Sequence, residues 1–187
     1  LSAETQTFMR ICFCSPVLQG YGLTETCAAA TLQDIRHGFL TGTVGGPTKA
    51  VEIKLRDVPE MKYFHTDKPY PRGEIAIRGP PVSKGYYLRP ELTKEAFGDD
   101  GWFYTGDIGL WDENGMLRII DRRKNLIKLA HGEYIALEAL ESLYGNSPFI
   151  SPNGICVYGN PEKNSLVALI LPQETYLINW AKQNGIK

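Results

Sequence analysis

The sequence lacks the features that would direct it to a membrane, to nucleic acid or to a secretory route. No apolar run approaches the roughly 20 residues that a membrane-spanning helix needs. The formal net charge of -1 gives no overall attraction to nucleic acid. Residues 1–10 are polar and lack the apolar segment of a signal peptide. We therefore expect a globular protein without a nucleic-acid partner.

Cysteine is scarce and is not spaced for a metal site. The four cysteines are Cys12, Cys14, Cys27 and Cys156. The Cys12–Cys14 pair has no second pair and no neighbouring histidines, which argues against zinc. We predict that all four are reduced, buried and small apolar side chains, as suits a reducing compartment.

The chain also lacks an initiator methionine, because it begins at Leu1 and ends soon after a predicted helix. We expect both ends to lie within a longer protein. Its 43% hydrophobic and 22% charged residues are ordinary values for a chain that builds a packed core.

Short segments with period-two alternation fill the first two thirds of the chain. Residues 51–55 and 74–78 alternate in this way, and Asn114-Gly115 is a strong hairpin signal. A strand at residues 16–18, a glycine-punctuated turn over residues 19–26 and a short helix at residues 90–97 are also predicted. The pattern favours a small antiparallel barrel or sandwich.

The pattern changes after the basic segment that starts at residue 122. We predict a helix over residues 133–144, strands over 154–158 and 166–171, and a helix over 175–183. This order is typical of a small α+β domain. The chain is thus predicted to be an α/β or α+β multidomain protein, with a β-rich, barrel-like first domain at residues 1–121 and a second domain at residues 122–187.

The first chemically informative motif is the run from Tyr21 to Glu25. Gly22 allows a close backbone approach to a ligand, and Thr24 offers a hydroxyl and an amide to a phosphate oxygen. Glu25 could hold Mg²⁺ on a polyphosphate, and Tyr21 offers a flat face to a base. A plain strand-to-helix turn with a capping threonine explains the same residues equally well.

The second motif ends in Asp107, after Thr105-Gly106. A carboxylate fixed at such a turn can accept two hydrogen bonds from a ribose diol. The alternative is an aspartate in an ordinary tight turn.

The third motif is the basic run of residues 120–128, with four cations at Arg122, Arg123, Lys124 and Lys128. Such a run is often only a solvated face. Because it joins two predicted domains, it favours a hinge whose arginine fork meets a phosphate or ribose oxygen.

Together and in this order, the three motifs resemble the adenylate-forming superfamily of acyl-CoA synthetases, luciferases and peptide-synthetase adenylation domains. The string Lys-Leu-Ala-His-Gly-Glu-Tyr-Ile-Ala at residues 128–136 resembles the eukaryotic long-chain fatty-acyl-CoA synthetases. The resemblance implies ATP or AMP, Mg²⁺ and coenzyme A as cofactors. It also implies that the parent enzyme converts a long-chain fatty acid, ATP and CoA to acyl-CoA, AMP and pyrophosphate through acyl-AMP.

The resemblance implies roles for nucleotide-site residues in the first domain. Tyr21 and Gly22 would line the adenine pocket, and Thr24 would contact the adenylate phosphate. Glu25 would hold magnesium, and Asp107 would bind the ribose hydroxyls.

The resemblance also implies roles for residues near and beyond the domain boundary. Ile119 would pack near the nucleoside, and Arg122 would reach the ribose or phosphate. Lys124 would sit at the hinge, while Lys128 and Gly132 would face the CoA channel.

Two family features are absent from the sequence: the Ser/Thr/Gly-rich phosphate loop and the late C-terminal lysine. We therefore expect this chain alone to be inactive. The alternatives are another acid-activating CoA ligase branch, a non-catalytic nucleotide-binding module, or a β-rich structural domain with accidental motifs. The resemblance implies an intracellular place, at the cytosolic face of the ER, peroxisome or mitochondrial outer membrane, through regions outside this chain; it gives no oligomeric state and no acyl chain-length preference.

Overall fold

The computed structural model describes residues 2–37, 40–130 and 134–186. Its contacts divide the chain into two compact units, with the division between Ile120 and Asp121. The helices are α1 (Ala3–Phe13), α2 (Pro90–Ala96), α3 (Leu137–Tyr144) and α4 (Glu174–Gln183). The strands are β1 (Gly20–Leu23), β2 (Ala28–Leu32), β3 (Gly46–Pro47), β4 (Glu52–Arg56), β5 (Arg72–Arg78), β6 (Phe103–Trp111), β7 (Leu117–Arg122), β8 (Leu126–Lys128), β9 (Tyr134–Ala136), β10 (Ile150–Gly159) and β11 (Leu166–Pro172).

The first unit is built on two antiparallel sheets. One has the order β1-β2-β3, and the other has the order β4-β5-β6-β7. An isolated bridge between Gly45 and Leu117 connects them, because the Leu117 amide donates to the Gly45 carbonyl at 2.9 Å. The buried core lies on this frame and consists of Ala30, Val51, Leu55, Ile75, Ile77 and Leu117.

The predicted α/β class is confirmed, whereas the predicted barrel is not. In the part of the chain that the structure describes, each sheet is an open series of neighbours and none closes on itself. Residues 73–77 of β5 are all buried, because Ile75 and Ile77 join the core on one face and the Arg56 side chain packs against Glu74 on the other. Period-two alternation therefore located β5 but did not indicate that residues 73–77 are all buried.

The strand predicted at residues 16–18 is wrong, and of the turn predicted over residues 19–26 the part at residues 20–23 is a strand, whereas residues 24–26 do turn. Pro16 has no amide hydrogen for a ladder. The Val17 carbonyl accepts hydrogen bonds from Gln6 Nε2 at 2.8 Å and Arg10 Nε at 3.1 Å. Pairing begins at Gly20, which lies opposite Leu32 in β2. The first motif is therefore part of a β-hairpin.

The tip of this hairpin has an unusual backbone. A 3-10 helix over Thr24–Thr26 follows β1, and then Cys27 (φ 49) and Ala28 (φ 96) both have positive φ. The register shifts at Tyr21/Gly22, where the strands approach closely. A Cβ atom at Gly22 would lie 1.6 Å from the Ala28 carbonyl oxygen. Only glycine fits at position 22.

The second unit contains two hairpins and two helices. β8 pairs with β9, and β10 pairs with β11, both antiparallel. The predicted helix over residues 133–144 begins only at Leu137, because Tyr134–Ala136 pair with β8; Glu133 lies outside the described residues. The predicted strands and final helix correspond to β10, β11 and α4.

The predicted burial of the cysteines is wrong. All four are free thiols, and all four are exposed. Cys14 and Cys27 each follow a helix end in the left-handed conformation, a position that belongs to surface turns. Among the helices described, the longest is α1 with 11 residues, and none is long and apolar enough to cross a membrane.

Replacing Gly22 with alanine is expected to destabilise the first unit by at least about 2 kcal/mol, because the new methyl group must displace backbone. Gly46→Ala is the matched control, since a Cβ there meets no described atom within 4 Å. Urea unfolding of both variants measures the difference. Equal stability of the two would contradict the close approach of β1 and β2.

Candidate functional site

The first motif lines an open cavity of about 640 Å³, formed by residues 20–24 with Ala28 and Ala29. This volume is in the range of small-molecule sites. Tyr21, Gly22 and Thr24 are therefore neighbours on one concave surface. A second open cavity, of about 510 Å³, lies beside α1 and contains none of the predicted site residues.

The second motif meets the first through one side-chain hydrogen bond. The Tyr21 hydroxyl donates to Asp107 Oδ2 at 2.6 Å, across 86 positions of sequence. The Tyr21 ring packs against the buried core, and Asp107 is only 7% exposed. Asp107 thus lies directly behind a residue that lines the cavity, although it is not itself part of the lining.

Asp107 belongs to a bulge within β6 rather than to the predicted turn. Across the β5–β6 ladder, Ala76 faces Tyr104 and Glu74 faces Ile108. Ile75 alone therefore opposes three residues, 105–107. Bulges of this kind interrupt the ladder and redirect a side chain, and they are common beside functional sites. Gly106, with φ 74, supplies the left-handed conformation that the bulge needs.

Side chains replace the ladder hydrogen bonds that the bulge removes. The Gly106 amide donates to Glu74 Oε1 at 3.1 Å, and the Asp107 amide donates to Thr105 Oγ1 at 3.1 Å. The Thr105 hydroxyl in turn donates to the Ile75 carbonyl at 2.9 Å. The backbone that carries Asp107 is therefore fixed on both sides.

Glu25 is joined to a segment that sequence reasoning did not select. The Tyr86 hydroxyl donates to Glu25 Oε1 at 2.7 Å, and the Ser83 amide donates to the Glu25 carbonyl at 2.7 Å. The Tyr86 ring meets Phe97 edge-on, with centroids 5.8 Å apart. Nothing local in the sequence indicates that Tyr86, rather than its neighbour Tyr87, faces Glu25.

The phenol of Tyr86 is held in its neutral form. Burial and the hydrogen bond to Glu25 raise the pKa of Tyr86 from 10.0 to about 12. Because the folded pKa lies above the unfolded one, the stabilisation is complete below pH 10. It is lost as the pH rises through about 12.

The third motif lies at the start of the second unit. Arg122 ends β7, and a 3-10 helix follows over Arg123–Asn125. Asp121 Oδ1 accepts from the Arg122 amide at 2.6 Å and from Asn125 Nδ2 at 3.3 Å. Asp121 Oδ2 is buried and has no hydrogen-bond partner among the described residues. The turn is thus shaped locally, with exposed side chains at Arg122, Arg123 and Lys124.

Two of the remaining predicted residues, Ile119 and Lys128, lie on strands. Ile119 is on β7 and is 36% exposed. Lys128 is on β8, with its ammonium group 5.6 Å from the Tyr134 ring centroid. Gly132 lies outside the described residues. The ligand roles of Ile119, Arg122, Lys124 and Lys128 stay predictions.

Among the described residues, no group of three or more His, Cys, Asp or Glu side chains could hold a metal ion. A closed protein cage for Mg²⁺ is not needed for nucleotide chemistry. Magnesium is commonly held by one or two carboxylates and the substrate phosphates. The half-buried carboxylate of Glu25, beside the cavity-lining Thr24, fits that arrangement.

Comparison with known proteins gives matches along the whole chain. Residues 1–87 match the family model described as AMP-binding enzyme. Fatty acyl-CoA synthetase A of Dictyostelium discoideum is 52% identical over 92% of this chain and 25% of its own length. Long chain acyl-CoA synthetase 7, peroxisomal, of Arabidopsis thaliana is 48% identical over 100% of this chain and 26% of its own length. The chain thus spans about a quarter of the length of these relatives.

Solved structures agree with the sequence relatives. The adenylation domain of carboxylic acid reductase from Segniliparus rugosus, in complex with AMP and a co-purified carboxylic acid, matches with a TM-score of 0.81 and 34% identity. That match covers 100% of this chain and 30% of the other. O-succinylbenzoate CoA synthetase from Bacillus subtilis, in complex with ATP and magnesium, has a TM-score of 0.76 and 28% identity over 98% of this chain and 38% of its own.

The fold, the motif-lined cavity and these matches all point to the AMP-binding enzymes, whose family model matches residues 1–87 of this chain. Within the family, it is similar along its length to the long-chain acyl-CoA synthetases.

At pH 11, roughly a tenth of the Tyr86 phenol should be ionised, against roughly nine tenths for an unperturbed tyrosine. Ultraviolet absorbance of Tyr86→Phe, subtracted from the unchanged chain, isolates this group. Tyr87→Phe is the matched control, because Tyr87 is 90% exposed and adjacent. Glu25→Gln should lower the pKa of Tyr86 only in part, since burial is the larger cause. A Tyr86 phenol that is mostly ionised at pH 11 would contradict the Glu25 contact.

Proposed function

We propose that this chain forms the AMP-binding surface of an ATP-dependent long-chain fatty acid:CoA ligase. In the first half-reaction, a carboxylate oxygen of the fatty acid attacks the α-phosphorus of ATP, and the bond to the departing pyrophosphate breaks. In the second, the CoA thiol loses its proton and attacks the acyl carbonyl carbon, and AMP leaves. The products are acyl-CoA, AMP and pyrophosphate.

The observation that carries the proposal is the hydrogen bond from Tyr21 to Asp107. It joins the two motifs that a nucleotide site requires: a glycine-containing strand and turn for adenine and phosphate, and a carboxylate for ribose. An ordinary tight-turn aspartate would have no reason to be buried against a cavity-lining tyrosine 86 positions away.

Within the first unit, each residue has a distinct task. Tyr21 and Gly22 form the wall beside adenine, and Thr24 donates to the α-phosphate from the start of the 3-10 helix that follows β1. Asp107 accepts from the ribose hydroxyls, and Ile119 packs near the nucleoside. Magnesium held at Glu25 would neutralise polyphosphate charge. Little covalent work falls to these side chains, so positioning and charge neutralisation supply the rate.

The second unit is proposed to act as a hinged lid. Arg122 reaches the ribose or phosphate, and Lys124 marks the hinge. Lys128 and Gly132 face the channel that admits CoA. Rotation about the hinge would let one nucleotide site serve both half-reactions.

The long-chain branch is favoured over other acid-activating branches by sequence identity. The relatives of 48–52% identity are named for fatty or long-chain acids, whereas solved neighbours of 28–34% identity act on other carboxylic acids or are reductases. We propose an intracellular enzyme of lipid metabolism. Peroxisomal relatives make the peroxisome the first organelle to examine.

Replacing Asp107 with alanine is expected to weaken AMP binding by about 10-fold or more, because hydrogen bonds to a charged acceptor contribute roughly 1.5–3 kcal/mol. Isothermal titration of the chain with AMP measures the effect. Asp99→Ala is the matched control, since Asp99 is an exposed aspartate in the loop before β6. Arg122→Ala should also weaken binding. Unchanged AMP affinity in Asp107→Ala would refute the nucleotide site.

A further inference from the structure

Glu74 is a buried carboxylate at the centre of β5, with only 3% of its surface exposed. Its two oxygens serve different partners. Oε1 accepts from the Gly106 amide at 3.1 Å, within the β6 bulge. Oε2 accepts from the Arg56 guanidinium, through Nε at 3.1 Å and through Nη2. A buried charge that is paired and hydrogen-bonded in this way is strongly tied to its surroundings.

Arg56 is itself held in place. Its guanidinium carbon lies over the Tyr104 ring, 3.9 Å from the ring centroid. Tyr104 is the residue that precedes the bulge. Arg56 and Glu74 face each other across the β4–β5 ladder. The ion pair and the stacked ring therefore brace one end of the bulge from the neighbouring strands.

The bulge needs this support because it gives up ladder hydrogen bonds. Ile75 faces three residues of β6, so the amides of Gly106 and Asp107 cannot both find backbone acceptors on β5. Glu74 Oε1 and Thr105 Oγ1 take their place. The direction of the Asp107 carboxylate thus depends on a side chain that does not reach the cavity lining.

We propose that Glu74 is a positioning residue for nucleotide binding, which acts through Gly106 to aim Asp107 at the ribose diol. This inference rests on the proposed function, because it takes AMP as the ligand. Glu74 touches neither substrate nor metal. It sets how well the site distinguishes a nucleotide with ribose hydroxyls from one without them.

A purely structural role and a positioning role predict different results. If Glu74 only stabilised the sheet, its loss would weaken every nucleotide alike. If it aims Asp107, its loss should affect only ligands whose ribose carries hydroxyl groups. AMP and 2′,3′-dideoxy-AMP differ only in those groups, so they separate the two roles.

The experiment measures the dissociation constants of both nucleotides for the 187-residue chain. The unchanged chain should prefer AMP by about 10-fold or more, as two hydrogen bonds to a carboxylate imply. Glu74→Ala should bring the two constants within about 2-fold of each other by weakening AMP and leaving the dideoxy nucleotide unchanged. Thr105→Val should act in the same direction, since it keeps the side-chain volume and removes the hydroxyl that holds Asp107. If Glu74→Ala does not fold, the ratio of the two dissociation constants in Thr105→Val decides between the positioning role and the purely structural role.

The matched control is Glu52→Ala. Glu52 also pairs with an arginine of a neighbouring strand, Arg78, but its side chain is 63% exposed and lies away from the bulge. Its loss should leave the preference for AMP intact.

The outcomes separate the inference from the proposed function. If the unchanged chain binds no AMP, or binds both nucleotides equally, the ribose role of Asp107 fails and this inference fails with it. If the unchanged chain prefers AMP and the Glu74 and Thr105 variants keep that preference, or weaken both nucleotides alike, the inference alone is overturned.

Discussion

The interruption of the β5–β6 ladder is the constraint on which the proposed site depends. Three residues of β6 face one residue of β5, and the extra length carries Asp107 out of the ladder. A bulge leaves amides to be satisfied, and Glu74 and Thr105 satisfy them. Once the backbone is fixed, Asp107 can be buried and still accept a hydrogen bond from Tyr21. The position of the Asp107 carboxylate, and with it the proposed ribose contact, thus follows from a bulge in an otherwise regular sheet.

The hairpin of β1 and β2 supplies the complementary half. Its strands approach so closely at Gly22 that no side chain fits, and Ala28 takes positive φ as the chain returns. The result is a backbone surface open to a ligand on one side and packed on the core through Tyr21 on the other. The 3-10 turn then presents Thr24 and places Glu25 against Tyr86. Rigid backbone on both strands favours a preorganised site.

Local signals in the sequence predicted much of this, and long-range pairing accounts for most of what they missed. The short helix predicted at residues 90–97 and the Asn-Gly hairpin both depend on signals within a few residues, and the structure has each of them. The motif residues Tyr21 and Asp107 were selected, but their hydrogen bond depends on sheet register. Alternation over residues 74–78 did not indicate that Glu74 is buried, because the side chains that cover it come from strands distant in the sequence. The positive φ at Ala28 gives no signal in the sequence, because alanine is not a residue type that favours this conformation.

A crystal structure of the chain with AMP bound would test the proposed nucleotide site most directly. We expect the two ribose hydroxyl oxygens to lie about 2.6–3.2 Å from the Asp107 carboxylate, with the adenine beside Tyr21 and Gly22. A nucleotide bound with its ribose turned to solvent, or on a surface away from the β1–β2 hairpin, would contradict the proposed site.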